Sequence, residues 1–73
     1  MSEELIEVTE SKRVSREAAA SRLRAFADQL ARHNQIEFTR AGVRHSVTVP
    51  DDVTLKVEIE VGDENEIEFE LTW

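Results

Sequence analysis

The side chains in this sequence that could do chemistry are two histidines, scattered serines, seven arginines and a C-terminal run of glutamates. His45 alternates with Val43, Val47 and Val49, which places it on the apolar face of a strand. A lone histidine there is ordinarily a satisfied core-edge residue, because general-base work needs a carboxylate or nucleophile beside it. The same face offers only Val, Ile, Leu, Phe and Trp. His33 falls at the end of a helix, where capping the last carbonyls is its ordinary role. Ser15, Ser21 and Ser46 lack the strand-turn-helix context of an activated nucleophile. With no cysteine in the chain there is no thiolate metal site and no disulfide framework. The expectation is a protein that is not an enzyme, with no catalytic residue, no cofactor and no metal.

Charge is the more informative pattern. Sixteen acidic residues against nine basic ones give −7. Residues 51–73 hold nine acids and one base, Lys56, whereas residues 11–50 hold eight bases and three acids. The chain is therefore a charge dipole. Glu58, Glu60, Glu66, Glu68 and Glu70 alternate with apolar residues and define one acidic sheet face. Such a face is commonly a solvated surface, its repulsion screened over a Debye length of ~10 Å. It is also a candidate docking face for a basic protein partner. A flat ladder supplies converging oxygens poorly, which disfavours a divalent cation.

Arg16, Arg22, Arg24 and Arg32 are the alternative, anion-facing set, and imply a small nucleic-acid-associated regulator. They form no continuous stripe, since Asp28 interrupts them. The net charge also opposes binding to phosphates, so nucleic acid is disfavoured. Trp73 is the last residue and a further candidate. It is expected to cap the core opposite Leu55, or else to anchor a partner or a second protomer.

These side chains must be positioned by a small fold. Glu4 to Val8 alternates and predicts a first strand, followed by a polar connector. Ser15 predicts an N-cap with Glu17 in the first turn. From there to about His33 the sequence lacks Gly and Pro, and Ala19, Leu23, Phe26, Ala27 and Leu30 share one face. Asp28 and Arg32 are spaced for an i,i+4 ion pair. After Asn34 the period changes to two. Ile36 and Phe38 lead to a turn at Arg40-Ala41-Gly42; Val43 to Val49 ends at Pro50-Asp51-Asp52; Val53 to Val61 ends at Gly62-Asp63-Glu64-Asn65; and Ile67, Phe69, Leu71 and Trp73 complete the last strand.

Opposed residues must share a face, which constrains the register. A four-residue loop over residues 39–42 pairs Phe38 with Val43 and Glu37 with Arg44. A loop at residues 50–52 pairs Val49 with Val53, Val47 with Leu55 and His45 with Val57. A three-residue loop at residues 63–65 pairs Ile59 with Phe69 and Leu55 with Trp73. It also sets Glu58 against Glu70 and Glu60 against Glu68. The expected fold is α+β: a single amphipathic helix on one face of an antiparallel sheet, order β-α-β-β-β-β, with the last four strands a meander. Leu23, Phe26 and Leu30 are expected to pack on Val47, Val57, Ile59, Phe69 and Leu71. Residues 1–73 make one domain, with residues 1–3 frayed. At this length a single core is only just sufficient, so self-association into a homodimer is a natural aid to stability.

The helix stripe, the segment Val47-Thr48-Val49-Pro50, and the close Glu66-Ile67-Glu68-Phe69-Glu70-Leu71-Thr72-Trp73 together resemble the amphi-Trp domain family. The resemblance covers nearly the whole chain. It implies a short protein with amphipathic strands closing on a near-terminal tryptophan, of a kind frequent in halophilic archaea and also found in bacteria. It carries no catalytic residues. Many members place a Gly-containing polar turn after the helix, where this chain has Arg32-His33-Asn34-Gln35. The start, Met1-Ser2-Glu3-Glu4, has no basic segment or apolar run, and no stretch approaches the ~20 apolar residues of a membrane span. A cytoplasmic protein with no membrane partner is expected. Its expected role is a non-enzymatic interaction or assembly module using a sheet edge, the acidic face or Trp73.

Overall fold

The computed structural model describes residues 7–73. They form an α+β arrangement of one helix and four strands: α1 (Arg16–Arg32), β1 (Gln35–Arg40), β2 (Val43–Thr48), β3 (Thr54–Glu60) and β4 (Glu66–Thr72). Ser15 caps α1 as its sequence position predicts. Its backbone is extended, its Oγ accepts from the Ala18 N–H at 3.0 Å, and its carbonyl accepts from Ala19 at 3.0 Å. Glu17 stands in the first turn, where the exposed amide dipoles favour an anion. At the other end the His33 N–H donates to the Gln29 carbonyl at 2.8 Å before the chain extends into β1. Asp28 and Arg32 are not among the ion pairs of the described residues.

The helix is the first element, which corrects the expected order β-α-β-β-β-β. Glu7 and Val8 belong to no strand, while the rest of the expected first strand and the frayed residues 1–3 lie outside the described residues. A five-residue alternation forms a strand only if an edge receives it. The β1 edge is already contacted by α1, through the Gln29 Oε1 accepting the Glu37 N–H at 3.3 Å.

The first hairpin closes more tightly than expected. Ala41 (φ 51°) and Gly42 (φ 77°) are both left-handed, the signature of a two-residue type I′ turn, whose twist matches that of the strands. Phe38 consequently faces His45 rather than Val43, and Glu37 faces Ser46 rather than Arg44. The shift is by two residues, so every side chain keeps its face.

The second hairpin departs in the opposite sense. Its loop is five residues, Val61 to Asn65, held by the Gly62 N–H donating to the Asn65 Oδ1 at 3.3 Å. Leu55 therefore faces Leu71, Val57 faces Phe69 and Ile59 faces Ile67. Leu55 does not reach Trp73, which lies beyond the last rung.

The expected meander is also corrected. The strands form two separate two-stranded sheets, β1-β2 and β3-β4, and β2 does not pair with β3. The Val49 N–H donates to the Asn34 carbonyl at 2.7 Å, adding one rung to the first hairpin. Proline disfavours a helical turn at the residue before it and has no N–H of its own. The chain bends at Asp51 without bringing β3 onto β2.

Contacts between elements are those within each hairpin and those of α1 with β1. Val49, at 7% exposure, is the buried apolar residue among those described. Leu30, Ile36, Phe38 and His45 are half-buried. Phe26, expected at the centre of the core, is 37% exposed, and the expected packing of the helix stripe on the second hairpin is not formed. The physical reason is topological: with β2 and β3 apart, the helix shelters only the first hairpin. The accessible surface is 7113 Å², against about 4,600 Å² expected for a compact domain of this mass. The radius of gyration is 14.2 Å, against about 11 Å for a compact chain of this length.

Candidate interaction surface

The β3-β4 hairpin has two chemically distinct faces because its register aligns two alternating sequences in phase. On one face Leu55, Val57 and Ile59 stand across from Leu71, Phe69 and Ile67. On the other, Lys56, Glu58 and Glu60 stand across from Glu70, Glu68 and Glu66. The apolar face is uncovered: Ile59 is 67% exposed and Leu55 60%. Leu71 alone of the six is half-buried. Large contiguous apolar patches on a soluble chain mark places where something binds.

The acidic face holds the five glutamates singled out in the sequence, but their partners differ from those expected. Glu58 opposes Glu68, not Glu70, and Glu60 opposes Glu66, not Glu68. Two like-charged pairs remain. The shorter register brings Lys56 opposite Glu70, and its Nζ lies 3.3 Å from the Glu58 Oε2. One lysine thus bridges the upper end of the ladder, and the end nearest the loop has only glutamates. Arg44 lies 3.8 Å from Glu37, its expected partner, but diagonally rather than directly across the first hairpin, and with β2 and β3 unpaired it does not stand opposite Glu58.

Trp73 is 61% exposed, so the expected core cap is not formed. It follows directly on β4, beyond the last paired rung. The five glutamates are the part of the predicted site that the structure brings together, on one face of β3-β4.

A cleft of about 940 Å³ lies between α1 and the first hairpin, lined by Val8, Arg22, Phe26, Phe38, His45 and Val47 among others. His45 stacks on Phe38, with ring centroids 5.4 Å apart and planes 19° apart. Among the described residues no hydrogen bond or ion pair joins His45 to a carboxylate or hydroxyl. Of the arginine set, Arg22 lies over the Phe26 ring at 5.0 Å and 3.5 Å from Glu10, and Arg16 lies 3.6 Å from Glu17. Arg24 and Arg32 stand on the same exposed helix. Among the described residues no group of three or more side chains is placed to hold a metal ion, and no helix is long and apolar enough to cross a membrane.

Gln29 was not foreseen. It ties the helix to a strand backbone, and its only sequence signal is a polar residue bordering the apolar arc. Ala41 occupies a two-residue turn where a four-residue loop over residues 39–42 is expected, and alanine seldom occupies left-handed backbone.

The model of a family described as the Amphi-Trp domain matches residues 1–73, the whole chain. No curated protein matches it, and no solved structure does.

Proposed function

The chain belongs to the Amphi-Trp domain family, and we propose that it works as a non-enzymatic interaction module that docks another polypeptide on its β3-β4 hairpin. The observation that carries this reading is the uncovered ladder Leu55, Val57, Ile59, Ile67, Phe69 and Leu71. An isolated two-stranded hairpin is marginal in water and gains independent stability from a further strand or a packed helix. The described elements of the chain supply neither. A docked chain supplies both, and the acidic face then stays in water, where its charge keeps the unpartnered form soluble.

Amide hydrogen exchange on the dilute chain tests the reading. The β3-β4 amides are expected to exchange far faster than those of β1-β2 and to become protected when a partner is present. Equal, strong protection of both hairpins in a dilute monomer would overturn it, since the ladder would then be covered from within.

A further inference from the structure

We infer that the occupant of the β3-β4 hairpin is a second copy of this chain, the two copies exchanging hairpins reciprocally. This rests on the docking reading above and names the partner. In the exchanged dimer, the free edge of β3 lies along the free edge of β2 of the other copy. Its apolar ladder covers the exposed Leu23 and Phe26 of that copy's helix.

Four observations converge on this arrangement. First, the parts complement each other. Among the described residues β2 and β3 each keep one unpaired edge, and an unpaired edge is a template for another strand. The helix leaves Leu23 half exposed above a hairpin that covers only part of its length, and beside it opens the 940 Å³ cleft lined by Phe26, Phe38 and Val47. Joining β3 to β2 completes a four-stranded antiparallel sheet under one helix.

Second, the charges choose among the faces a second copy offers. Residues 11–50 carry eight bases and three acids; residues 51–73 carry nine acids and one base. Two hairpins placed against each other would bring a net −8 onto a net −8. A hairpin placed beside the helix unit brings −8 beside +5. Like-charge juxtaposition suppresses the first arrangement and complementarity favours the second.

Third, there is surface enough to bury, even though part of the excess lies on the exposed residues 7–15 ahead of α1. Each copy exposes about 2,500 Å² more than a compact domain of its mass, or about 5,000 Å² for two. Obligate homodimers bury about 2,000–5,000 Å² in total.

Fourth, the connection is short and does not pair β3 with β2. Val49 is hydrogen-bonded into the first hairpin, and Pro50 follows it immediately, so only residues 50–53 join the two halves. A short hinge that runs on instead of reversing is the usual setting for exchange between identical chains, and reciprocal exchange closes with two-fold symmetry.

The test is native mass together with isotope-filtered NMR on an equal mixture of labelled and unlabelled wild-type chain. A dimer with Phe26–Phe69 contacts between labelled and unlabelled copies is the expected result. A dimer whose intermolecular contacts join Phe69 to Phe69 overturns reciprocal exchange. An extended monomer with a fast-exchanging hairpin overturns the second copy and leaves the docking reading standing. A compact monomer with Phe26–Phe69 contacts inside one chain overturns both. Ile59→Asp, which places a charge on the ladder, should leave the chain monomeric at every concentration at which the wild type is a dimer.

Discussion

Glu58 stands directly across from Glu68 in the second hairpin, with the Lys56 ammonium 3.3 Å from the Glu58 carboxylate. Directly opposed like charges weaken an antiparallel pair by about 0.2–1 kcal/mol relative to an opposite-charge pair. Glu68→Lys should therefore raise the melting temperature in dilute buffer, and Lys56→Glu should lower it. Added sodium chloride should stabilise the wild type by screening and should stabilise Glu68→Lys less. Thermal melts at low and high salt check both, and a wild type indifferent to salt would remove the opposed pair from the account.

The turn of the first hairpin makes a sharper prediction. Ala41 holds φ 51° although it carries a Cβ, and left-handed backbone costs such a residue roughly 1–2 kcal/mol. Ala41→Asn should recover part of this, about 0.5–1 kcal/mol, since Asn-Gly is the preferred type I′ pair. Gly42→Ala should cost about 1 kcal/mol from backbone strain, because its Cβ would meet no atom within 4 Å. Urea midpoints of the two variants should move in opposite directions.

Ser15→Ala removes the acceptor for the Ala18 N–H and should cost about 1 kcal/mol, with a loss of helical circular dichroism. Ser15→Asp should retain the cap. Gln29→Ala should loosen α1 from β1 without shortening the helix, visible as faster exchange at the Glu37 amide.

Trp73, which follows β4, is expected to report on the proposed docking. In the dilute chain, at 61% exposure, its fluorescence should resemble that of tryptophan in water. As the hairpin face is covered the emission should shift to the blue. Ile59→Asp should abolish that shift while leaving the dilute spectrum unchanged.

The elements were legible in the sequence for local reasons. Ser15 and the Gly-free, Pro-free run after it favour a helix, and period-two alternation places the four strands after it, though it also predicts a first strand over Glu4 to Val8 of which Glu7 and Val8 form no part. Register was less legible, because parity fixes faces and not the count of loop residues. Phe38 could meet Val43 or His45 without any side chain changing sides, and only the left-handed pair at Ala41 and Gly42 decides between them. The pairing of β2 with β3 is a long-range matter that neither alternation nor turn composition could settle. Pro50 reads equally well as a reversal and as a spacer. The site followed the same division. Glu58 to Glu70 fall together on one face as their spacing demands, but Lys56 enters the ladder only through a loop two residues longer than expected.

The uncovered ladder of β3-β4 has a consequence for how much of this protein there must be. A domain with a complete core is folded at any dilution, since its stability is a property of one molecule. In the proposed assembly the last third of the chain draws its shelter from a partner, so its foldedness would follow mass action and rise with the supply of that partner. At low abundance the second hairpin is open to proteases, and chains that find no companion are removed first. On that proposal the amount of protein in the cell would act as a threshold: below it the helix and first hairpin persist with a frayed acidic tail, and above it both parts are protected together.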